Sequence, residues 1–243
     1  MIYTALSGMD AAMVRQRTVA SNLANAQTPG FRAETFAVKT LTLKGPALES
    51  RAVTQGTVRG ADMAAGKVIA TGQPLDIAIS GSALMAVQAA DGTEVYSRRG
   101  DLAIGVSGVL ENGDGRPVMS MGGPITVPPG RSVTISKDGT VFAADPAQPD
   151  APAEEVGRIK LSSPAGSRIE KDLDGFMRVV GGGVLPQDVT ASLETGALEQ
   201  SNVDTSQVLV DIIEAQRSFD RRAKLFSTAS EIDQSGARLM SLR

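Results

Sequence analysis

Apolar residues recur at helical spacing near both ends of the chain, and the long stretch between them shows no such period. In the first 27 residues the apolar or small positions are Ile2, Ala5, Leu6, Met9, Ala12, Met13, Val19, Ala20, Leu23 and Ala26. Steps of three and four residues predict an amphipathic helix. Thr28-Pro29-Gly30 ends it, because proline lacks an amide donor and restricts the residue before it.

A second apolar stripe runs through the C-terminal segment. It follows Asp204 and Gln207, whose spacing resembles a capping box at a helix start. The stripe contains Leu209, Ile212, Ile213, Gln216, Phe219, Ala223 and Phe226, and then changes phase to Leu225, Ala229, Ile232 and Leu239. The phase change indicates a helix that bends or meets more than one neighbour. Because burying a large apolar side chain contributes about 1.5–3 kcal/mol, we expect packing partners for both helices.

Tight-turn signals punctuate the middle of the chain. Asp91-Gly92, Asn112-Gly113, Asp138-Gly139 and Asp174-Gly175 each lie beside short apolar runs, which is typical of β-hairpins. The candidate strands are Leu75–Ser80, Leu84–Ala89, Glu94–Arg98, Ile125–Val127, Ser132–Ser136, Thr140–Ala143, Gly157–Ser162 and Phe176–Val180.

The predicted fold class is therefore α+β, in four segments. Residues 1–30 form the N-terminal helix and residues 31–73 an extended connector. Residues 74–183 form a central all-β domain, and residues 184–243 form a return segment with the C-terminal helix. We expect the two terminal helices to pair in a coiled-coil-like layer.

Composition removes several classes of chemistry. The 243 residues include no His and no Cys, which excludes Ser-His-Asp and Cys-His catalysis and thiolate metal sites. A net charge of −3 argues against nucleic-acid binding, and we expect no cofactor, no metal and no enzymatic activity. No apolar run approaches the roughly 20 residues that span a bilayer, so no membrane insertion is expected. A carboxylate-only enzyme and a secreted interaction module stay open as alternatives.

Three motifs identify a family. The first runs from Ala20 to Arg32 (ASNLANAQTPGFR), and the second combines GALEQSNVD at 196–204 with IIEAQRSF at 212–219. The third lies in the predicted β domain, as PLDIAI at 74–79, YSRRG at 96–100 and GGPITVP at 122–128. With these motifs in this order, the chain resembles the flagellar axial proteins of the rod and hook.

This resemblance implies a structural subunit of the bacterial flagellar basal-body rod, the axial drive shaft that transmits torque. Its implied partners are copies of itself, other rod subunits and the flagellar type III export apparatus. The absence of a secretory pattern near the N-terminus fits export without a cleaved signal peptide into a periplasm-spanning rod. The short length and the motifs at 2–9 and 60–63 resemble proximal rod members, and distal rod is the nearest alternative.

The resemblance also implies an assembly interface on the terminal segments. Its expected residues are Leu6, Met9, Met13, Asn22, Leu23, Asn25, Asn202, Val203, Leu209, Ile212, Ile213, Gln216, Phe219 and Phe226. We interpret Asn22, Asn25 and Gln16 as polar groups that set the register of a packed helix layer. The alternative is that these three side chains face solvent.

Overall fold

A computed structural model describes residues 2–44, 49–148, 151–172 and 174–241. These residues contain helix α1 at Ile2–Ala24 and helix α2 at Thr205–Ser241. The strands are β1 Glu34–Lys44, β2 Glu49–Ala61, β3 Val68–Ala70, β4 Ile77–Ile79, β5 Leu84–Gln88, β6 Glu94–Ser97, β7 Ala103–Ile104, β8 Leu110–Glu111, β9 Met119–Ser120, β10 Gly123–Pro124, β11 Ser132–Ile135, β12 Thr140–Ala144, β13 Glu154–Arg158, β14 Leu161–Ser162, β15 Ile169–Lys171, β16 Met177–Val179, β17 Leu193–Thr195 and β18 Ala197–Glu199. The predicted α+β class with a mostly β body is confirmed.

The chain divides into two compact units. Unit 1 comprises Met1–Ala24, Glu34–Gly60 and Val203–Arg243, and therefore holds both helices. Unit 2 comprises Asn25–Ala33 and Ala61–Asn202 and holds the β body. Neither described helix has an apolar stretch long enough to cross a bilayer.

Unit 1 also contains a two-stranded sheet of β1 and β2. This pair lies inside the range 31–73, where we expected an extended connector; residues 45–48 of that range lie outside the described residues. Both strands are rich in Thr and Val, as in AVKTLTLK and AVTQGTV. Such β-branched residues favour extended strands, which explains a pair of strands where no period was apparent.

Unit 2 is built on a five-stranded sheet of order β14-β5-β6-β16-β15 and a three-stranded sheet of order β11-β12-β13. Strands β5 and β6 pair antiparallel, with Val87 opposite Val95. The core of the body is aliphatic: Val87, Val95, Leu110, Val118 and Val141 are all fully buried. Burial of Val, Ile and Leu thus provides the cohesion that sparse aromatic residues cannot.

The predicted turns are present, with one shift. Gly92, Gly139 and Gly175 have positive φ, as tight hairpin turns require. At Asn112-Gly113, however, the positive φ falls on Gly115. A Cβ on Gly113 would lie 2.1 Å from Asp101 Oδ2. This glycine therefore leaves room for the Asp101 side chain and does not form a left-handed turn.

The predicted strand Ile125–Val127 is not a regular strand. The preceding strand, β10, ends at Pro124. Its amides are nevertheless paired. Ile125 N–H donates to Val118 O at 3.0 Å, and Val127 N–H donates to Gly108 O at 2.7 Å. Leu110 N–H in turn donates to Ile125 O at 2.9 Å, and Thr126 lies opposite Val109, so the segment pairs antiparallel with residues 108–110 through one isolated bridge.

Candidate assembly interface

Helices α1 and α2 contact each other in unit 1. Arg222 Nη1 donates to the backbone oxygen of Gly8 at 2.9 Å, and Arg15 Nη2 lies 3.7 Å from Glu214 Oε2. Moving forward along α1 from Gly8 to Arg15 thus corresponds to moving backward along α2 from Arg222 to Glu214. The two helices therefore run antiparallel.

Small residues occupy several buried positions of α1 and one of α2. Ala11 and Ala12 are buried on α1, and Ala215 is buried on α2. At Gly8 a Cβ would lie 2.7 Å from Arg222 Nη1, closer than real side-chain contacts allow. Small side chains at these positions let helix backbones approach closely, and large apolar side chains are left on other faces.

The predicted interface residues fall into two groups by exposure. Four large apolar side chains are well exposed on the helices: Leu6 (38%), Met13 (45%), Leu209 (48%) and Ile213 (52%). Gln216 is exposed as well, and half-buried members are Met9, Leu23, Val203, Ile212, Phe219 and Phe226. Leu225 and Ile232, from the second phase of the stripe, are also exposed. That these side chains contact other subunits stays a prediction.

The three asparagines among the predicted residues make hydrogen bonds within the chain. Asn22 accepts from the Glu34 N–H at 2.8 Å and donates to Glu34 O at 3.0 Å. Asn202 accepts from the Ala33 N–H at 2.7 Å and donates to the backbone oxygens of Asp62 and Ala64. Thr28 Oγ1 lies 3.2 Å from Asn25 Oδ1, within hydrogen-bond distance. These amides hold the segments next to the helices; a role between subunits stays a prediction.

Sequence reasoning missed a buried cluster of charges in unit 2. Its members are Arg32, Gly66, Arg98 and Glu199, called the Glu199 cluster below. Glu199 Oε1 accepts from Arg32 Nη2 and from the Gly66 N–H, both at 2.7 Å, and Glu199 Oε2 accepts from Arg98 Nε at 2.7 Å. The three charged side chains are 1–2% exposed. A carboxylate between two guanidiniums is the arrangement that makes such burial tolerable.

Arg98 is held by further bonds. Its guanidinium donates to the backbone oxygens of Ile79, Gly81 and Ala83, which lie in and after β4. Burial lowers the pKa of Arg98, and the carboxylate of Glu199 opposes that effect. The signal was present in the sequence, since both Arg32 and Glu199 lie inside the terminal motifs. Their separation along the chain concealed the pairing.

Sequence models of three flagellar families match the chain. They are flagella basal body rod protein (residues 2–32), the D1 domain of flagellar hook protein FlgE/F/G (78–143) and the C-terminal region of flagellar basal body rod FlgEFG protein (194–239). The first and third contain α1 and most of α2, and the second lies in the β body. The chain therefore has the N-terminal, central and C-terminal regions of flagellar rod and hook proteins.

Curated relatives specify the family. The flagellar basal-body rod protein FlgF of Salmonella typhimurium is 37% identical over 99% of this chain and 98% of its own length. FlgF of Escherichia coli is 38% identical over 95% and 94%, and the rod protein FlgG of Bacillus subtilis is 28% identical over 95% of each. The chain belongs to the flagellar basal-body rod protein family, and within it resembles FlgF more than FlgG.

Proposed function

We propose that the protein is a structural subunit of the flagellar basal-body rod, which assembles through its terminal helices. Membership of the rod protein family supports a structural role in the rod. The exposed apolar residues of the helices support assembly through those helices. Leu209 and Ile213 on α2 are each about half exposed, at 48% and 52%. Apolar side chains in such positions stabilise an assembly when a neighbouring subunit covers them.

The finer proposal is a coiled-coil-like layer of terminal helices. In it, α1 and α2 of one subunit pack against those of copies of itself and of other rod subunits, and the β body adds lateral contacts. The antiparallel contact of α1 with α2 supports the first part. The higher identity to the FlgF relatives than to FlgG favours the proximal over the distal rod.

Location and export complete the proposal. The subunit would transmit torque within the periplasm-spanning part of the rod, after passage through the flagellar type III export apparatus. Since that route needs no cleaved leader, the mass of the subunit in purified basal bodies should equal that of the translated chain. A smaller mass, with residues missing from the N-terminus, would contradict this part alone.

The test of assembly is the substitution Ile213→Asp. A carboxylate at this half-exposed position disfavours burial against a neighbour, and it lies in unit 1, so the β body of unit 2 should stay folded. We expect basal bodies from the variant strain to lack the subunit, and motility to be lost.

A matched control is Val189→Asp on the β body, where the side chain is 71% exposed. It introduces the same carboxylate at a more exposed valine outside the helices, and we expect normal incorporation. Normal rods and motility with Ile213→Asp would overturn assembly through α2. If neither variant were incorporated into basal bodies, an added carboxylate would block assembly at both positions, and the helix would have no special role in assembly.

A further inference from the structure

The Glu199 cluster joins the chain segments that lead out of α1 and into α2. Besides the side-chain bonds, Gly30 N–H donates to Glu199 O at 2.7 Å, and Gln200 N–H donates to Lys67 O at 2.8 Å. Asn202 N–H donates to Phe31 O at 3.3 Å. Segments 30–33 and 199–202, which are distant in sequence, therefore bond directly to each other inside unit 2.

The two arginines of the cluster are not held equally. Arg98 keeps three backbone oxygens as acceptors even without Glu199. Arg32 donates to Glu199 through Nη2, whereas its Nε and Nη1 are buried with no hydrogen-bond partner among the described residues. The burial of Arg32 thus depends on one carboxylate, while Arg98 is anchored independently of it.

A third cation lies close to Arg32. Lys171 Nζ donates to Arg32 O at 3.0 Å and lies 3.4 Å from the centre of the Phe31 ring. These contacts hold the backbone and ring of the N-terminal segment but bring no negative charge to the arginines. Within the described residues, Glu199 is the one carboxylate within ion-pair distance of either guanidinium. Loss of its charge would leave like charges buried together.

We propose that the Glu199 cluster is a charge-dependent latch, which holds segment 30–33 against segment 199–202 and opens at Arg32 when Glu199 is neutralised. The β core stays closed in the open state, because Arg98 remains bound to the oxygens around β4. The latch thereby fixes, within unit 2, the chain segment that follows α1 against the one that precedes α2. Its opening frees the N-terminal segment first.

The experiment is amide hydrogen exchange on the full chain with Glu199→Gln, which keeps the shape and removes the charge. The reporters are the amides of Gly30, Ala33 and Gly66, with Leu110 and Val118 as core amides. Because Glu199→Gln removes one charge of a buried ion pair, we expect the three latch amides to exchange about 100-fold faster or more. We expect the core amides to change by only a few-fold.

Glu94→Gln is the matched control, since Glu94 is 17% exposed and binds Lys160 Nζ at 2.8 Å within the β body. It should leave the latch amides unchanged. Unchanged protection at the latch amides in Glu199→Gln would overturn the proposal, because the charge would then be dispensable. An equal loss at latch and core amides would also overturn it, since the cluster would then be an ordinary part of one cooperative core.

Arg32→Met provides a second variant should Glu199→Gln fail to fold. It keeps the Arg98–Glu199 pair, so Gln200 should stay protected while Gly30 and Ala33 lose protection. This unequal response is specific to a latch that opens on the Arg32 side. Retained protection at Gly30 and Ala33, or loss at all three amides together, would count against the proposal.

Discussion

At the scale of single residues, Gly30 is subject to two constraints at once. Its φ of 66° is left-handed, and a Cβ there would lie 2.2 Å from the backbone oxygen of Arg98. We predict that Gly30→Ala destabilises unit 2 by about 3 kcal/mol or more, since left-handed strain and overpacking against backbone add together. Chemical denaturation followed by circular dichroism measures the change.

The matched control for that prediction is Gly92→Ala. Gly92 has a similar φ of 83°, but nothing lies within 4 Å of the position of its Cβ. It should therefore show only the left-handed strain, about 1–2 kcal/mol. Equal losses at the two glycines would show that the contact with Arg98 is unimportant.

Asp138 carries a prediction for pH. Its carboxylate accepts hydrogen bonds from the side chains of Ser136 and Thr140, which lower its pKa to about 2. Because the pKa is lower in the folded chain, the ionised carboxylate contributes its full stabilisation at pH values above the ordinary pKa of 3.8. This contribution is lost as the pH falls towards 2. A carboxyl NMR titration should find the low pKa, and Thr140→Val should raise it. An ordinary pKa in the native chain would contradict the hydrogen bonding at this turn.

At the scale of elements, the start of α2 is set by a side-chain cap. Asp204 Oδ1 accepts from the N–H groups of Ser206 at 2.8 Å and Gln207 at 3.2 Å, which confirms the predicted cap. Gln207 Nε2 donates forward to Asp211 rather than back to residue 204, so the reciprocal half of a capping box is absent at this site.

We predict that Asp204→Ala lowers the stability of α2 by about 1 kcal/mol, because two helix N–H groups lose their acceptor. The loss should appear as faster amide exchange in the first turn of α2 and a lower helical signal on warming. Thr205→Ala, at the neighbouring exposed helix position, is the control and should change stability by less than about 0.5 kcal/mol. Equal effects would mean that the cap contributes nothing.

The elements also show which physical signals a sequence carries. Periodicity predicted both helices, and Asp-Gly pairs predicted three turns correctly, because each signal is local. The pair of strands β1 and β2 lacked a clear period, and residues 125–127 form only an isolated bridge with residue 109. The Glu199 cluster depends on residues 167 and 101 positions apart, so only the folded chain brings its charges together. Four apolar residues of the predicted interface are exposed, and their contacts with other subunits stay a prediction: Leu6, Met13, Leu209 and Ile213.

At the scale of the whole molecule, the division into two compact units predicts two separable stabilities. Leu110 is fully buried in the β core of unit 2, whereas both helices belong to unit 1. We predict that Leu110→Ala destabilises unit 2 by about 2–5 kcal/mol through lost burial and a residual cavity. Amide exchange should accelerate across the β body while the amides of α1 and α2 keep their rates.

The control for that experiment is Val106→Ala, because Val106 is fully exposed in the same body. Its truncation removes no buried contact, so amide exchange in both units should stay within the range of a surface substitution, about 0.5 kcal/mol. If Leu110→Ala instead accelerated exchange in the helices as much as in the β body, the chain would unfold as one cooperative unit. Unequal acceleration would mean that the helices keep their own stability when the β body opens.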